Sequence, residues 1–168
     1  MSANIRLVEP FPMTAWKDLH HWLNASVIAA TDQFPRDERE FHVKIGESLE
    51  TARSWAVIDQ DCGKISGALI FEPIGRMGAR TYVASSRAIW GTGLMDEAAR
   101  VALHKVFTEN PELGYVLGMV TSNNYPARAF NERLGFRVKN ILPDYVISNG
   151  TRRDMIVYEL TREIWRTT

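Results

Sequence analysis

The residues whose types and spacing most plainly serve a chemical purpose are Trp90-Gly91-Thr92-Gly93-Leu94-Met95, a pair of glycines running straight into a helical pattern. From Met95 the apolar residues fall at Ala98, Ala99, Ala102, Leu103, Val106 and Phe107, the i, i+3, i+4, i+7 spacing of a helix with one buried face. Asp96, Glu97, Arg100 and Lys105 take the opposite face. Upstream, Arg80-Thr81-Tyr82-Val83-Ala84-Ser85 has the β-branched and aromatic content of a strand, so the glycines stand at a strand-to-helix junction. The first turn of a helix carries N–H groups without intrahelical partners and a partial positive charge, which suits phosphate, and glycines let the backbone come close to it. The expected chemistry is a pyrophosphate cradle. A bare tight turn would use the same two glycines, so the pair alone does not decide between them.

Other reactive types offer less. His20 and His21 are neighbours on a helical pattern and point about 100° apart, too divergent to share a metal ion. Cys62 is the single cysteine, which excludes an internal disulfide and any cysteine-cluster metal site, and it lies in a polar turn. No metal is expected. Twenty basic residues balance twenty acidic ones, so no overall field favours nucleic acid or an anionic membrane. No apolar run approaches the roughly 18 residues of a membrane span, and no basic-then-apolar leader opens the sequence, so a cytoplasmic protein is expected.

The elements that must position the cradle follow from periodicity. Residues 5–8 suit a short strand broken by Pro10 and Pro12. Trp16, Leu19, Trp22, Leu23 and Val27 have helical spacing, residues 32–39 read as a loop, and Phe41, Ile45 and Leu49 mark a second helix interrupted by Gly46. Two strands, 55–58 and 65–71, flank a hairpin turn at Asp61-Cys62-Gly63-Lys64, and with the strand before the glycines they form an antiparallel meander. After the long helix come a buried strand at 115–121, a helix at 125–134 ending on Gly135, and strands at 136–139 and 155–160 joined by a loop holding Pro143, Asp144, Tyr145, Asn149 and Gly150. The order is β-α-α-β-β-β-α-β-α-β-β, an α+β fold in one domain spanning residues 1–168.

Three separated segments resemble the GNAT superfamily of acetyl-coenzyme A dependent N-acetyltransferases. Trp90 through Ala98 is similar to the family's glycine turn and helix opening; Asn124-Tyr125-Pro126-Ala127 through Leu134-Gly135-Phe136 is similar to its second motif. Asn149-Gly150, Asp154 and residues 158–165 look like the branch that contains the ribosomal-protein N-terminal acetyltransferases. The resemblance is firm from about residue 54 onward and implies a mixed, mostly antiparallel sheet of about six to seven strands flanked by helices.

It also implies site residues. The coenzyme A pyrophosphate would lie on the backbone of Trp90, Gly91, Thr92, Gly93, Leu94 and Met95, and the pantetheine arm beside Asn124, Ala127, Arg128, Phe130 and Asn131. A backbone amide of Val83, Ala84 or Ser85 would polarise the thioester carbonyl. The catalytic candidates are Glu72 as a water-linked base, Ser85, Asn131 toward the sulfur, and Tyr145, with its neighbour Asp144, toward the acceptor. Several features depart from the family. Trp90 stands where an Arg or Gln is usual, Met95 where a small residue is usual, and the strand before the turn lacks a Glu. The tyrosine and serine hydroxyls that relatives supply for the leaving thiolate are replaced by Asn131 and Ala127, with Ser122 or Tyr125 as substitutes. Arg87, Arg128 and Arg133 are candidate phosphate cations.

The leading reading is an N-acetyltransferase that uses acetyl-CoA and a primary-amine acceptor, a peptide N-terminus or a small molecule, either alone or as a homodimer. The missing Glu, Tyr and Ser support a second reading, a coenzyme A binding sensor or interaction module that transfers nothing. Modification of nucleic acid would require a basic stripe on the surface.

Overall fold

The computed structural model describes residues 4–24, 31 and 37–167. Val27 and most of the expected 32–39 loop lie outside them. The elements are β1 (Ile5–Val8), α1 (Trp16–Asn24), α2 (Glu38–Thr51), β2 (Arg53–Asp59), β3 (Lys64–Ile74), β4 (Gly78–Ser85), α3 (Leu94–Glu109), β5 (Tyr115–Thr121), α4 (Tyr125–Arg133), β6 (Arg137–Ser148), β7 (Thr151–Thr161) and α5 (Arg162–Thr167). The seven strands form one sheet in the order β1-β2-β3-β4-β5-β7-β6. Every pair is antiparallel except β4 with β5. Among the described residues, no helix is long and apolar enough to cross a membrane.

Alternation along the strands divides the core into two layers. On β3, Leu69 and Phe71 face α3 and join Ala98, Ala102, Leu103, Val106 and Phe107, with Val116, Ile156, Tyr158 and Leu160 from β5 and β7. Ala68 and Ile70 face the other way, against Leu19 and Trp22 of α1 and Phe41 of α2. Helix α3 is held at its far end by Arg162, whose guanidinium donates to the carbonyls of Phe107 (2.9 Å), Asn110 (2.6 Å) and Leu113 (2.8 Å). Such a cation satisfies carbonyls that a helix C-terminus leaves open.

The structure corrects three expectations. Helix α2 runs unbroken through Gly46 and begins at Glu38, capped by the Asp37 carboxylate, which accepts the N–H groups of Arg39 and Glu40. Strand β6 runs to Ser148, well past Lys139. It carries Pro143, Asp144 and Tyr145 within the strand at a register shift, with Asp144 at φ 51° and its N–H donating to Asp154 Oδ1 (3.0 Å). A bulge admits a proline that a regular ladder would reject. The chain also adds a short helix, α5, whose Trp165 stacks on Phe107.

Met95, the large residue at a position expected to be small, is buried on the core face of α3 and does not enter the cradle. Gly67 on β3 makes room for it: a Cβ there would sit 2.5 Å from Met95 Sδ and 3.2 Å from the Ala84 carbonyl oxygen. We expect Gly67→Ala to cost about 1–3 kcal/mol in urea unfolding. In the Met95→Ala background the same change should cost at least about 1 kcal/mol less. Strict additivity would show that the two residues do not compete for this space.

Candidate active site

The cradle is built by backbone conformation. Gly91 and Gly93 have φ of 74° and 84°, in the left-handed region that favours glycine, and a Cβ on either would meet only open space. Thr92 braces the turn from inside: its hydroxyl donates to the Ile89 carbonyl (2.7 Å) and accepts the Leu94 N–H (3.3 Å). Leu94 is therefore committed within the turn. The N–H groups of Gly91, Gly93 and Met95 find no acceptor among the described residues, and they open the first turn of α3. That turn contains Asp96 and Glu97, which would repel phosphate. Arg133 of α4 offsets Asp96 through a two-point ion pair, 2.9 and 3.2 Å. Arg133 thus neutralises the helix opening and is no free phosphate cation.

Trp90 folds back onto the end of β4, its indole N–H donating to the Ser85 carbonyl (3.3 Å) and hydroxyl (3.1 Å), with Arg87 stacked over its ring at 5.5 Å. This cation–π pair sets a positive group at the mouth of the cradle.

Beside the cradle the sheet opens. Strands β4 and β5 pair over four rungs, Gly78↔Tyr115 to Thr81↔Gly118, although β4 continues to Ser85 and β5 to Thr121. Orientation along β4 follows from the Ser86 N–H, which donates to the Ser66 carbonyl (2.8 Å). By antiparallel alternation Ala84 and Tyr82 are also turned toward β3, while Val83 and Ser85 are turned toward the gap. Of the three amides expected near the thioester, Ala84 is occupied in the ladder. The Val83 N–H is the first on β4 beyond the last β5 rung. With the Ser85 carbonyl taken by Trp90, Val83 and the Ser85 N–H are the groups left to hydrogen-bond a bound arm.

The four expected catalytic residues do not converge on one point. Asn131, 7% exposed, sits on the α3 face over Gly118, where a Cβ would lie 2.8 Å from its Oδ1; its Nδ2 donates to the Ala127 carbonyl (2.9 Å). Ser85 is on that face at the other end of the gap. Glu72 is on the opposite face, the side of α1 and α2, where its carboxylate accepts from Arg80 (2.6 Å) and from the Tyr82 hydroxyl (3.3 Å). Tyr145, half-exposed, lies on edge strand β6, three places from β4 in the sheet.

Sequence reading missed Arg80 and Tyr82 as Glu72 partners. They were discoverable only from the register that sets Glu72 across from Arg80. Burial pushes the Tyr82 phenol up to about 12, against the pull of Arg80, so it remains a hydrogen-bond donor at neutral pH.

On α4, Asn124 caps the helix by accepting the Ala127 N–H (3.3 Å). Arg128 donates to the Ser122 carbonyl (3.1 Å) and lies over the Tyr125 ring, and Phe130 and Ala127 pack on the core. Tyr125 points to solvent. Among the described residues no group of three or more His, Cys, Asp or Glu side chains is placed to hold a metal ion.

The site therefore comprises a glycine cradle, a gap in a mixed sheet and a capped helix. Residues 7–137 match the family profile described as acetyltransferase (GNAT) domain. The chain belongs to the GNAT acetyltransferase family. No curated protein sequence matches it. Among solved structures, the chain is similar to the spermidine/spermine N-acetyltransferase SpeG from Vibrio cholerae (TM-score 0.80, 16% identity, covering 99% of this chain and 98% of that one). It is also similar to the ribosomal-protein-S5-alanine acetyltransferase from Vibrio fischeri (TM-score 0.73, 17% identity, 96% and 93%). A SpeG structure in complex with CoA and spermine matches as well (TM-score 0.81, 16% identity, 98% and 99%).

The chain is an N-acetyltransferase, and GNAT acetyltransferases use acetyl-CoA. The observed groups fit that molecule: free helix-start N–H groups beside open space for the pyrophosphate, and an unpaired strand edge for an arm that carries amides.

Proposed function

We propose that this acetyltransferase, acting as a single domain, transfers the acetyl group to the free α-amine of a protein N-terminus. The observation that carries the reading is the Glu72–Arg80 pair. Among the described residues of β3 and β4, Glu72 is the sole carboxylate on the α1 side, and an arginine at 2.6 Å already balances it. A polyamine carries several positive charges that need carboxylates to meet them, whereas an N-terminal residue brings one amine and a neutral backbone. The resemblance of residues 149–165 to the ribosomal-protein N-terminal acetyltransferases supports the same acceptor, as does similarity to a structure named for an alanine acetyltransferase.

In this reading the cradle and Arg87 hold the pyrophosphate, the Val83 N–H donates to the thioester oxygen, and Glu72 takes the amine proton through a water while Tyr82 holds the carboxylate in place. Coenzyme A release should be followed with a set of short peptides bearing different free N-termini, the same peptides N-blocked, and spermidine. The expected result is a kcat/KM for the best free peptide at least about tenfold above spermidine, about 1.4 kcal/mol, with no turnover of blocked peptides. Preference for spermidine, or equal rates with blocked peptides, overturns the assignment.

A further inference from the structure

Some relatives place a hydroxyl on α4 for the leaving sulfur, at positions where this chain has Ala127 and Asn131, and the Tyr125 hydroxyl at the start of α4 belongs to a side chain turned to solvent. We infer that Thr81, on the strand facing α4, supplies the hydroxyl for the sulfur. Thr81 Oγ1 is buried and has no hydrogen-bond partner. A buried hydroxyl left unpaired costs about 1–3 kcal/mol, and valine would fill the same shape without that cost. The position has chemical meaning because Thr81 is the last β4 residue paired to β5, so its side chain marks the closed end of the gap. It lines a crevice with Val83, Phe130 and Asn131, otherwise walled by apolar residues, whose roughly 10 Å³ admits one water. Asn131 sits across that same rung, over Gly118, with one amide hydrogen already committed to Ala127. Thr81 is the hydroxyl at this end, beside the one amide hydrogen that Asn131 keeps.

The inference rests on the acetyl-CoA reading, in which the arm runs from the cradle along Val83 toward the apex of the gap. The amine nitrogen forms a bond to the thioester carbon, and the carbon–sulfur bond breaks with its electron pair going to sulfur. The proton lost by the amine goes to Glu72 by way of water. The thiolate accepts a hydrogen bond from Thr81 Oγ1, which keeps its proton, and the sulfur is protonated later from solvent. A threonine hydroxyl is no acid at neutral pH, and it need not be, because a thiol with a pKa of about 8.5 leaves readily once the developing charge is met.

The test needs no acceptor. Binding of coenzyme A and of desulfo-coenzyme A, which lacks the thiol, is measured by calorimetry at pH 7 and pH 9.5 for the wild type, Thr81→Val and Thr81→Ser. Wild type and Thr81→Ser should bind coenzyme A about tenfold more tightly at pH 9.5 relative to desulfo-coenzyme A, because the thiolate is then present. Thr81→Val should lose that gain while binding desulfo-coenzyme A as the wild type does and melting no lower. With an accepted amine, kcat should fall about tenfold in Thr81→Val and recover in Thr81→Ser with KM for acetyl-CoA unchanged. If Thr81→Val does not fold, Thr81→Ala takes its place in every comparison. An equal pH-dependent gain with and without the hydroxyl overturns the Thr81 role alone. Failure of the wild type to bind either compound overturns the coenzyme reading itself and this inference with it.

Discussion

Replacing Gly91 and Gly93 together by alanine is expected to weaken coenzyme A binding about 100-fold while the protein stays folded. Both positions hold φ above 70°, where an alanine costs roughly 1–3 kcal/mol. The turn has two responses. It keeps its shape and carries the strain, with two methyl groups in the space that the pyrophosphate needs, or it relaxes and rotates the N–H groups away from the ligand. Both responses cost affinity. Neither disturbs the core, because a Cβ at each glycine meets no atom within 4 Å. Calorimetric titration with coenzyme A, alongside near-UV circular dichroism, reads the two effects separately. A dissociation constant within threefold of wild type on a folded protein would show that the turn only joins a strand to a helix.

Glu72→Gln should lower kcat/KM by at least about 100-fold at pH 7 with little change in the KM for acetyl-CoA. The substitution keeps the shape and one acceptor oxygen for Arg80 and Tyr82, and it removes the base. The informative measurement is the same comparison at higher pH. An N-terminal α-amine has a pKa near 8, so by about pH 9 most of it is already neutral and the missing base matters less. The deficit should therefore shrink as pH rises. A polyamine or lysine amine, which deprotonates above pH 10, would not show that recovery in the same range. A deficit that is constant with pH, or one confined to KM, would assign Glu72 to structure through its ion pair with Arg80.

These two residue sets also mark the limit of what the sequence discloses. The glycine turn, α3 and α4 are legible because each rests on local rules: left-handed turns favour glycine, helix faces repeat every 3.6 residues, and Asn124 caps the residues just after it. The element order follows for the same reason. What is illegible depends on register between strands. Nothing in the string 72–82 states that Glu72 lies beside Arg80 and Tyr82 and faces away from Asn131; that needs the β3–β4 pairing. The Met95 anomaly resolves through Gly67, 28 positions earlier, which only the packing of α3 on β3 connects to it. Strand β6 reads in the sequence as a short strand at 136–139 followed by a loop because Pro143 interrupts the pattern, and a bulge absorbs it. Thr81 is an ordinary strand residue until its hydroxyl is seen to have no partner.

The gap between β4 and β5 gives this sheet a third edge, in its interior. A sheet of seven strands ordinarily has two rims, and proteins blunt them with charge, proline or short length so that no foreign strand adds there. Here β4 beyond Thr81 is a rim of that kind, with Val83 and the Ser85 N–H turned toward the gap and the Ser85 carbonyl already masked by Trp90. The rim is only a few residues long, too short for a polypeptide to dock as a strand. A slender molecule carrying peptide-like amides can still use it. A donor substrate whose arm paired with the Val83 and Ser85 groups would stand in for a missing length of β-strand and complete the sheet.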